Sequence, residues 1–206
     1  MEGFLKFLLN IAHQHESSKD RLAPVYTLSQ GLPLPEVTYP AWAGYRDSSP
    51  VRSNNQAAEH IQNDVYGEMI LTLSPIFFDE RFFHLRTPEH QDLLKNLARL
   101  CVKKISEPDA GLWEVRNGWQ EHTFANLMSW AGLERVERIQ KYGYLKDLPF
   151  DVASERLRAQ VAVELATQEG SLRNGPKDGS LDAALVLAAV LRFPQKELSA
   201  RTVDQI

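Results

Sequence analysis

Apolar residues recur at helical spacing along most of this chain, and the pattern predicts seven helices joined by loops of very unequal length. The first covers residues 2–15, with Phe4, Leu5, Leu8, Ile11 and Ala12 on one face. The second covers residues 56–73, where Ala57, Ile61, Val65, Met69 and Leu73 recur every four positions before Ser74-Pro75 ends it. Thr87-Pro88-Glu89 reads as a cap followed by proline in the first turn. The helix it opens carries Leu93, Leu94, Leu97 and Leu100 and stops before Pro108. Residues 123–141 turn Leu127, Trp130, Ala131 and Leu133 inward, with Gly143 just beyond the end. A fifth helix is predicted over 152–168, ending near Gly170. A sixth is capped by Ser180, has Leu181, Ala184, Leu185, Ala188 and Leu191 on one face, and is stopped by Pro194. A seventh starts near Ser199. No alternating run is long enough to support a sheet. Residues 17–55 have no period and contain Pro24, Pro33, Pro35, Pro40 and Pro50, so no helix crosses them. A loop of that length is often functional. The pattern suits a toroid of helical hairpins with function on the long loops at one rim.

Composition narrows the function classes. With 43% hydrophobic and 24% charged residues the chain is an ordinary globular sequence. Its net charge of −4 lacks the basic stripe of a nucleic-acid binder and suits a neutral ligand such as a sugar. No segment is long and apolar enough to span a bilayer. The start, Met1-Glu2-Gly3-Phe4-Leu5-Lys6, has an acidic second residue and no cleavage site, so it reads as an amphipathic helix rather than a signal peptide, with the cytoplasm as default location. Cys101 is the only cysteine, which excludes an internal disulfide and a cysteine metal site; within Leu97-Ala98-Arg99-Leu100-Cys101-Val102 it reads as a small buried hydrophobe. His13 and His15, two apart on a helix, do not share a face and do not form a metal pair. His60, Asp64 and Glu68 form a one-turn polar row of the usual solvated or structural kind. Asp178 and Asp182 flank a helix start, where carboxylates serve cap and dipole. No cofactor and no metal are implied.

The most informative stretch is a loop, Asp109-Ala110-Gly111-Leu112-Trp113-Glu114-Val115-Arg116-Asn117-Gly118-Trp119-Gln120-Glu121-His122-Thr123. It combines indoles, carboxylates, an arginine and a histidine. Glycoside hydrolysis needs such a mixture: an acid beside an apolar neighbour protonates the glycosidic oxygen, an indole covers the apolar face of a pyranose, and amide and guanidinium groups bond its hydroxyls. On composition alone, a Trp-Glu pair in a loop is more often packing plus a solvated charge.

Gly111-Leu112-Trp113-Glu114-Val115-Arg116 resembles the acid-bearing motif of the glucoamylase-like glycoside hydrolase family fifteen, and residues 123–133 resemble the helix that follows it there. Gly44-Tyr45-Arg46, Ser49-Pro50-Val51-Arg52 and residues 57–68 are similar to an earlier family segment, and Lys177-Asp178-Gly179-Ser180-Leu181-Asp182 to a later one. The blocks stand in family order and cover nearly the whole chain, most clearly from Gly44 onward. The chain departs from the family at Val115, where the fungal members carry a second glutamate, at Ser48-Ser49-Pro50, where an arginine is usual, and at Ser53-Asn54-Asn55.

The resemblance implies an all-α fold, part of an (α/α)6 barrel, with residues 1–206 as a single partial catalytic domain. It implies inverting hydrolysis of an α-glucoside, either an α-glucan or trehalose, with Glu114 as general acid. Leu112, Trp113, Arg52, Tyr45 and Arg116 would contact the sugar. The expectation is a concave site with Trp113 in contact with Glu114 and Arg52 on the same rim. In the family the general base comes from a segment beyond the Asp178 block, and a Trp-Arg-Asp type motif precedes the point matched by Met1. This chain alone is therefore expected to be inactive, needing the remainder of a barrel or associating with itself. The alternatives are an inactive sugar-binding or structural fragment and a helical interaction module without a sugar ligand.

Overall fold

A computed structural model describes residues 2–15, with side chains as far as residue 11, and residues 21–206. The histidine pair read at His13 and His15 therefore lies outside the described side chains. The fold is all-α, about 53% helical, and forms part of a helical barrel.

The first helix, α1 (Glu2–His15), buries Leu5, Leu8 and Ile11. Phe4, expected on that face, is 53% exposed. A short hairpin follows, with β1 (Val37–Tyr39) antiparallel to β2 (Val51–Ser53), in the stretch read as structureless. Next come α2 (Val65–Leu73), the single turn α3 (Pro75–Phe78), a 3-10 segment Glu80–Leu85 and α4 (Pro88–Lys104). Thr87 caps α4 as its sequence predicts, its hydroxyl accepting from the His90 N–H. The long helix α5 (Thr123–Lys141) begins and ends at the residues the period predicts, and α6 is Val152–Glu164. A second hairpin pairs β3 (Thr167–Gln168) with β4 (Ser171–Leu172), and α7 (Leu187–Val190) and α8 (Lys196–Gln205) complete the described elements.

The centre of the core is α5. Every residue from 123 to 133 is buried on it, polar ones included. It packs most extensively on α6 and α2; α4 packs on both α2 and α5, and α1 lies on α2 and α4. Backbone meets backbone where α2 crosses α5. A Cβ on Gly67 would come within 2.1 Å of the Met128 carbonyl oxygen, and one on Gly132 within 3.0 Å of the Gly67 Cα. Cys101 is fully buried, and burial pushes its thiol up to about 12, which removes it as a nucleophile at neutral pH.

Three predicted helices differ. Residues 56–73 are not one helix. Asn55 accepts from the Ala57 N–H and caps a 3-10 turn, Gln56–Glu59, which stops at extended His60. Residues 60–64 are then claimed by partners distant in sequence: Asp109 Oδ2 accepts the Asn63 N–H at 2.6 Å, and Ile61 O accepts the Ala110 N–H at 2.9 Å. The His60, Asp64 and Glu68 row is therefore not a solvated helix face, and His60 and Asp64 are buried. The fifth predicted helix ends early because Gly170, at φ +79°, turns the chain into the β3–β4 hairpin. In the sixth, Asp182 rather than Ser180 is the cap, accepting from the Ala184 N–H at 2.9 Å, and Leu181 is exposed. Among the described residues no helix is long and apolar enough to cross a membrane.

Candidate active site

The loop between α4 and α5 is shaped from its base. Asp109 is buried and does three things there. Its Oδ2 accepts the Asn63 N–H, its Oδ1 accepts the Gly111 N–H at 3.0 Å, and its backbone pairs with Gln120 across the loop's neck. Burial raises its carboxyl above the usual range. Gly111 adopts φ +66° with the His122 ring so close that a Cβ would stand 2.7 Å from its Nε2. No other residue fits there without displacing His122. His122 is itself buried, with Nδ1 3.2 Å from Asn174 Oδ1.

From this base the chain rises through Leu112, Trp113 and Glu114, and Glu114 is held at φ +56°. Left-handed backbone is costly for a residue other than glycine, of order 1–3 kcal/mol, and persists where its surroundings impose it. They do so here: the Glu114 N–H reaches Gly111 O at 3.1 Å and the Val115 N–H reaches Ala110 O at 3.0 Å. The Glu114 side chain is half-buried.

The neighbours of Glu114 are pinned from two sides. Trp113 is 63% exposed, yet its Nε1–H donates to Asp182 Oδ1 at 2.9 Å, so the same carboxylate caps the turn before α7 and orients the indole. Arg116 makes a forked contact with Glu36, at 2.8 and 3.2 Å, and Arg116 also donates to Gln56 Oε1. Arg52 on β2 reaches the same Glu36 at 3.2 Å. The two arginines hold the Glu36 carboxyl below its usual range, Arg116 through its hydrogen bond foremost. The hairpin bearing Arg52 and the loop bearing Glu114 are thus joined through one carboxylate. Farther down, Asp178 accepts from Gln120 Nε2 at 2.9 Å, Asn174 Nδ2 at 2.7 Å and the Ser180 N–H at 3.0 Å. These donors, the Ser180 backbone first, keep its carboxyl well below the usual range. It acts as a clamp between the turn at 174–180 and the end of the loop that carries Glu114.

The residues singled out in the sequence therefore fall into two groups. Arg116 and Arg52 share the Glu36 carboxylate, and Trp113 is tied separately to Asp182. Leu112 is partly exposed beside them, and Tyr45 is 79% exposed, its ring covered only by the Arg46 guanidinium at 5.3 Å. The sequence assigns no role to Glu36, Gln56 or the Asp109–His122 base. Glu36 sits in an aperiodic proline-rich stretch, and nothing local signals its partners. Asp182 was legible as a cap but not as the anchor of an indole. Three of the four tryptophans, Trp42, Trp113 and Trp119, stand exposed on the two long loops, whereas Trp130 is in the core. Exposed indoles held by hydrogen bonds are suited to stacking on sugar rings. No group of residues able to hold a metal ion occurs among the described residues.

The family model described as glycosyl hydrolases family 15 matches residues 2–204. The chain is 27% identical over 199 residues to a trehalase of Mycolicibacterium smegmatis, an alignment covering 93% of the chain and 29% of that protein. It is 31% identical over 137 residues to trehalase 1 of Sulfolobus acidocaldarius, covering 66% of the chain and 24% of the relative. A trehalase of Mycobacterium tuberculosis is 24% identical over 201 residues, covering 93% and 28% respectively. The chain thus spans under a third of the length of these relatives. No solved structure matches it at a significant level.

Proposed function

The chain belongs to glycosyl hydrolase family 15, and from that membership we propose that it forms part of an enzyme that hydrolyses trehalose with inversion, using Glu114 as the general acid. The observation that carries this reading is the anchoring of the residues that flank Glu114 in the chain. An acid on a strained loop stands between an indole tied to Asp182 and an arginine tied to Glu36. Trp113 and Leu112 would cover the apolar face of a glucose ring. Arg52, Arg116 and Tyr45 would meet its hydroxyls. Glu114 would give its proton to the bridging oxygen as the bond to the anomeric carbon breaks. Trehalose is preferred over an α-glucan because the relatives that align with the chain are named trehalases.

Inversion requires a second carboxylate, about 6.5–9.5 Å away, to activate water. The proposal assigns that base to no residue of this chain and places it in another part of a larger barrel. An exposed apolar stripe on α6, Leu157, Val161 and then Leu165 at its end, supports a further helix packing there. The 206-residue chain alone is accordingly expected to release no glucose at an enzymatic rate.

The test is glucose release from trehalose, maltose and starch by the protein at its full length. Glu114→Gln should lower kcat on trehalose by roughly 10²–10⁴-fold, the usual cost of removing an acid. Proton NMR during turnover should show one α- and one β-glucose per trehalose, because only the attacked carbon inverts. Unchanged turnover by Glu114→Gln would remove the acid assignment, and two α-glucoses would remove inversion.

A further inference from the structure

The proposed reaction gives work to two arginines, and both rest on a residue to which it gives none. Glu36 stands just before β1, and its side chain is 15% exposed, against 38% for that of Arg52. The β1–β2 register explains how the two meet. Thr38 pairs with Arg52, and side chains alternate along a strand, so Glu36, two residues before Thr38, falls on the same face as Arg52. Tyr39 and Ser53 use the opposite face, with their hydroxyls 3.1 Å apart.

The two arginines use the shared carboxylate differently. Arg116 commits both terminal nitrogens: Nη1 donates to Glu36 Oε1 and Gln56 Oε1, and Nη2 donates to Glu36 Oε2 at 2.8 Å. This fork joins the loop that carries Glu114 to the hairpin. Arg52 reaches Glu36 Oε1 through Nε at 3.2 Å, and its two terminal nitrogens have no protein partner among the described residues. The Arg52 contact lies within the hairpin, so it connects nothing that the strands do not already connect. What it fixes is the rotation of the guanidinium. An exposed ion pair contributes little to stability. One that holds a donor fork in place before the ligand arrives lowers the cost of ordering it on binding. A second observation links the trio to the acid. The Arg116 guanidinium is held above its ordinary value by its hydrogen bond to Glu36 first, then by the Glu36 charge, and Glu114 adds to the same field.

We propose that Glu36 is a positioning residue for sugar binding: it locks Arg116 as the tie between hairpin and loop, and it holds Arg52 with its terminal N–H groups free for the hydroxyls of the glucoside. Glu36 has this part only if the glucoside binds beside Glu114, as proposed above.

The test uses the protein at its full length and trehalose. Binding is measured by calorimetry in the Glu114→Gln background, and turnover with Glu114 intact. Glu36→Ala should weaken trehalose binding about tenfold and raise KM by a similar factor with kcat nearly unchanged, as loss of a contact made equally in ground and transition states does. Arg52→Ala should do the same. The double variant should lose little more than Arg52→Ala alone, because the carboxylate acts through that arginine. Glu36→Gln keeps an acceptor oxygen for one arginine and should recover part of the affinity. If the losses of the two single variants multiply in the double variant, or if Glu36→Ala lowers the melting temperature and leaves affinity unchanged, Glu36 is only a structural tie and the proposal falls. Normal turnover by Glu114→Gln would remove the acid assignment instead, and the Glu36 comparison would then be read on KM. Absence of trehalose binding by every form would overturn both.

Discussion

At the scale of single residues, the loop that carries Glu114 is held by side chains to which the proposed reaction gives no part. Asp182 is the clearest case, since one oxygen accepts both the Trp113 indole and the Ala184 N–H. Asp182→Ala should cost about 1 kcal/mol of stability through the lost cap. It should also lower kcat/KM on trehalose, because the indole is released. Asp182→Asn keeps an acceptor oxygen and should restore both. A melting curve and a steady-state assay on the two variants separate the roles: if Asn rescues stability but not turnover, the charge rather than the hydrogen bond orients Trp113. The choice of Glu114 as the proposed acid came at this scale from its match to the family motif. The left-handed backbone of Glu114 was not legible, because nothing in a Glu side chain favours φ +56° and the conformation is imposed by the turn around it.

At the scale of elements, the helices that could be read best are those whose ends carry their own chemistry. Thr87 with Pro88 starts α4, and the apolar period of α5 runs unbroken from Thr123. The segment before α2 failed as a helix because Asn63 and Ile61 bond to Asp109 and Ala110 instead of to their own turn. Local hydrogen bonds lost to tertiary ones there. The crossing of α2 on α5 makes a sharper demand. Gly67→Ala would drive a methyl into the Met128 carbonyl, a backbone group that cannot swing aside. The expected destabilisation is about 3 kcal/mol, the upper end for overpacking. Urea denaturation should give a lower midpoint with an unchanged slope. A loss below about 1 kcal/mol would mean that the two helices part easily.

At the scale of the whole molecule, buried carboxyls set the pH dependence of folding. Burial first, then Glu68 and Asp109, pushes Asp64 up to about 7. Asp109 and Glu68 are raised too, both chiefly by burial. A carboxyl raised in the fold holds its proton there and releases it when unfolded, so the unfolded chain binds fewer protons. Stability from Asp64 is then greatest below the unfolded value near 4 and declines as pH rises toward 7. Asp178 acts the other way: its lowered value contributes stability above about pH 4 that is lost in stronger acid. The maximum should fall at mildly acidic pH. Asp64→Asn should flatten the decline between about pH 4 and 7 by a few kcal/mol. Melting temperatures measured across that range test this, and an unchanged slope in the variant would show that Asp64 does not titrate there.

The sequence by itself determined that the chain is helical, where its longest helices lie, and that the Trp113–Glu114 stretch sits on a loop between two of them. Those features depend on neighbours within a turn or two, and such neighbours leave a period or a cap in the sequence. Tertiary structure alone decided how the three family-like blocks meet. Asn63 bonds Asp109 across 46 positions, Trp113 bonds Asp182 across 69, and Arg116 bonds Glu36 across 80. A hydrogen bond of that range leaves no periodic mark, because either partner alone is an ordinary polar residue and only the tertiary fold brings the two within 3 Å.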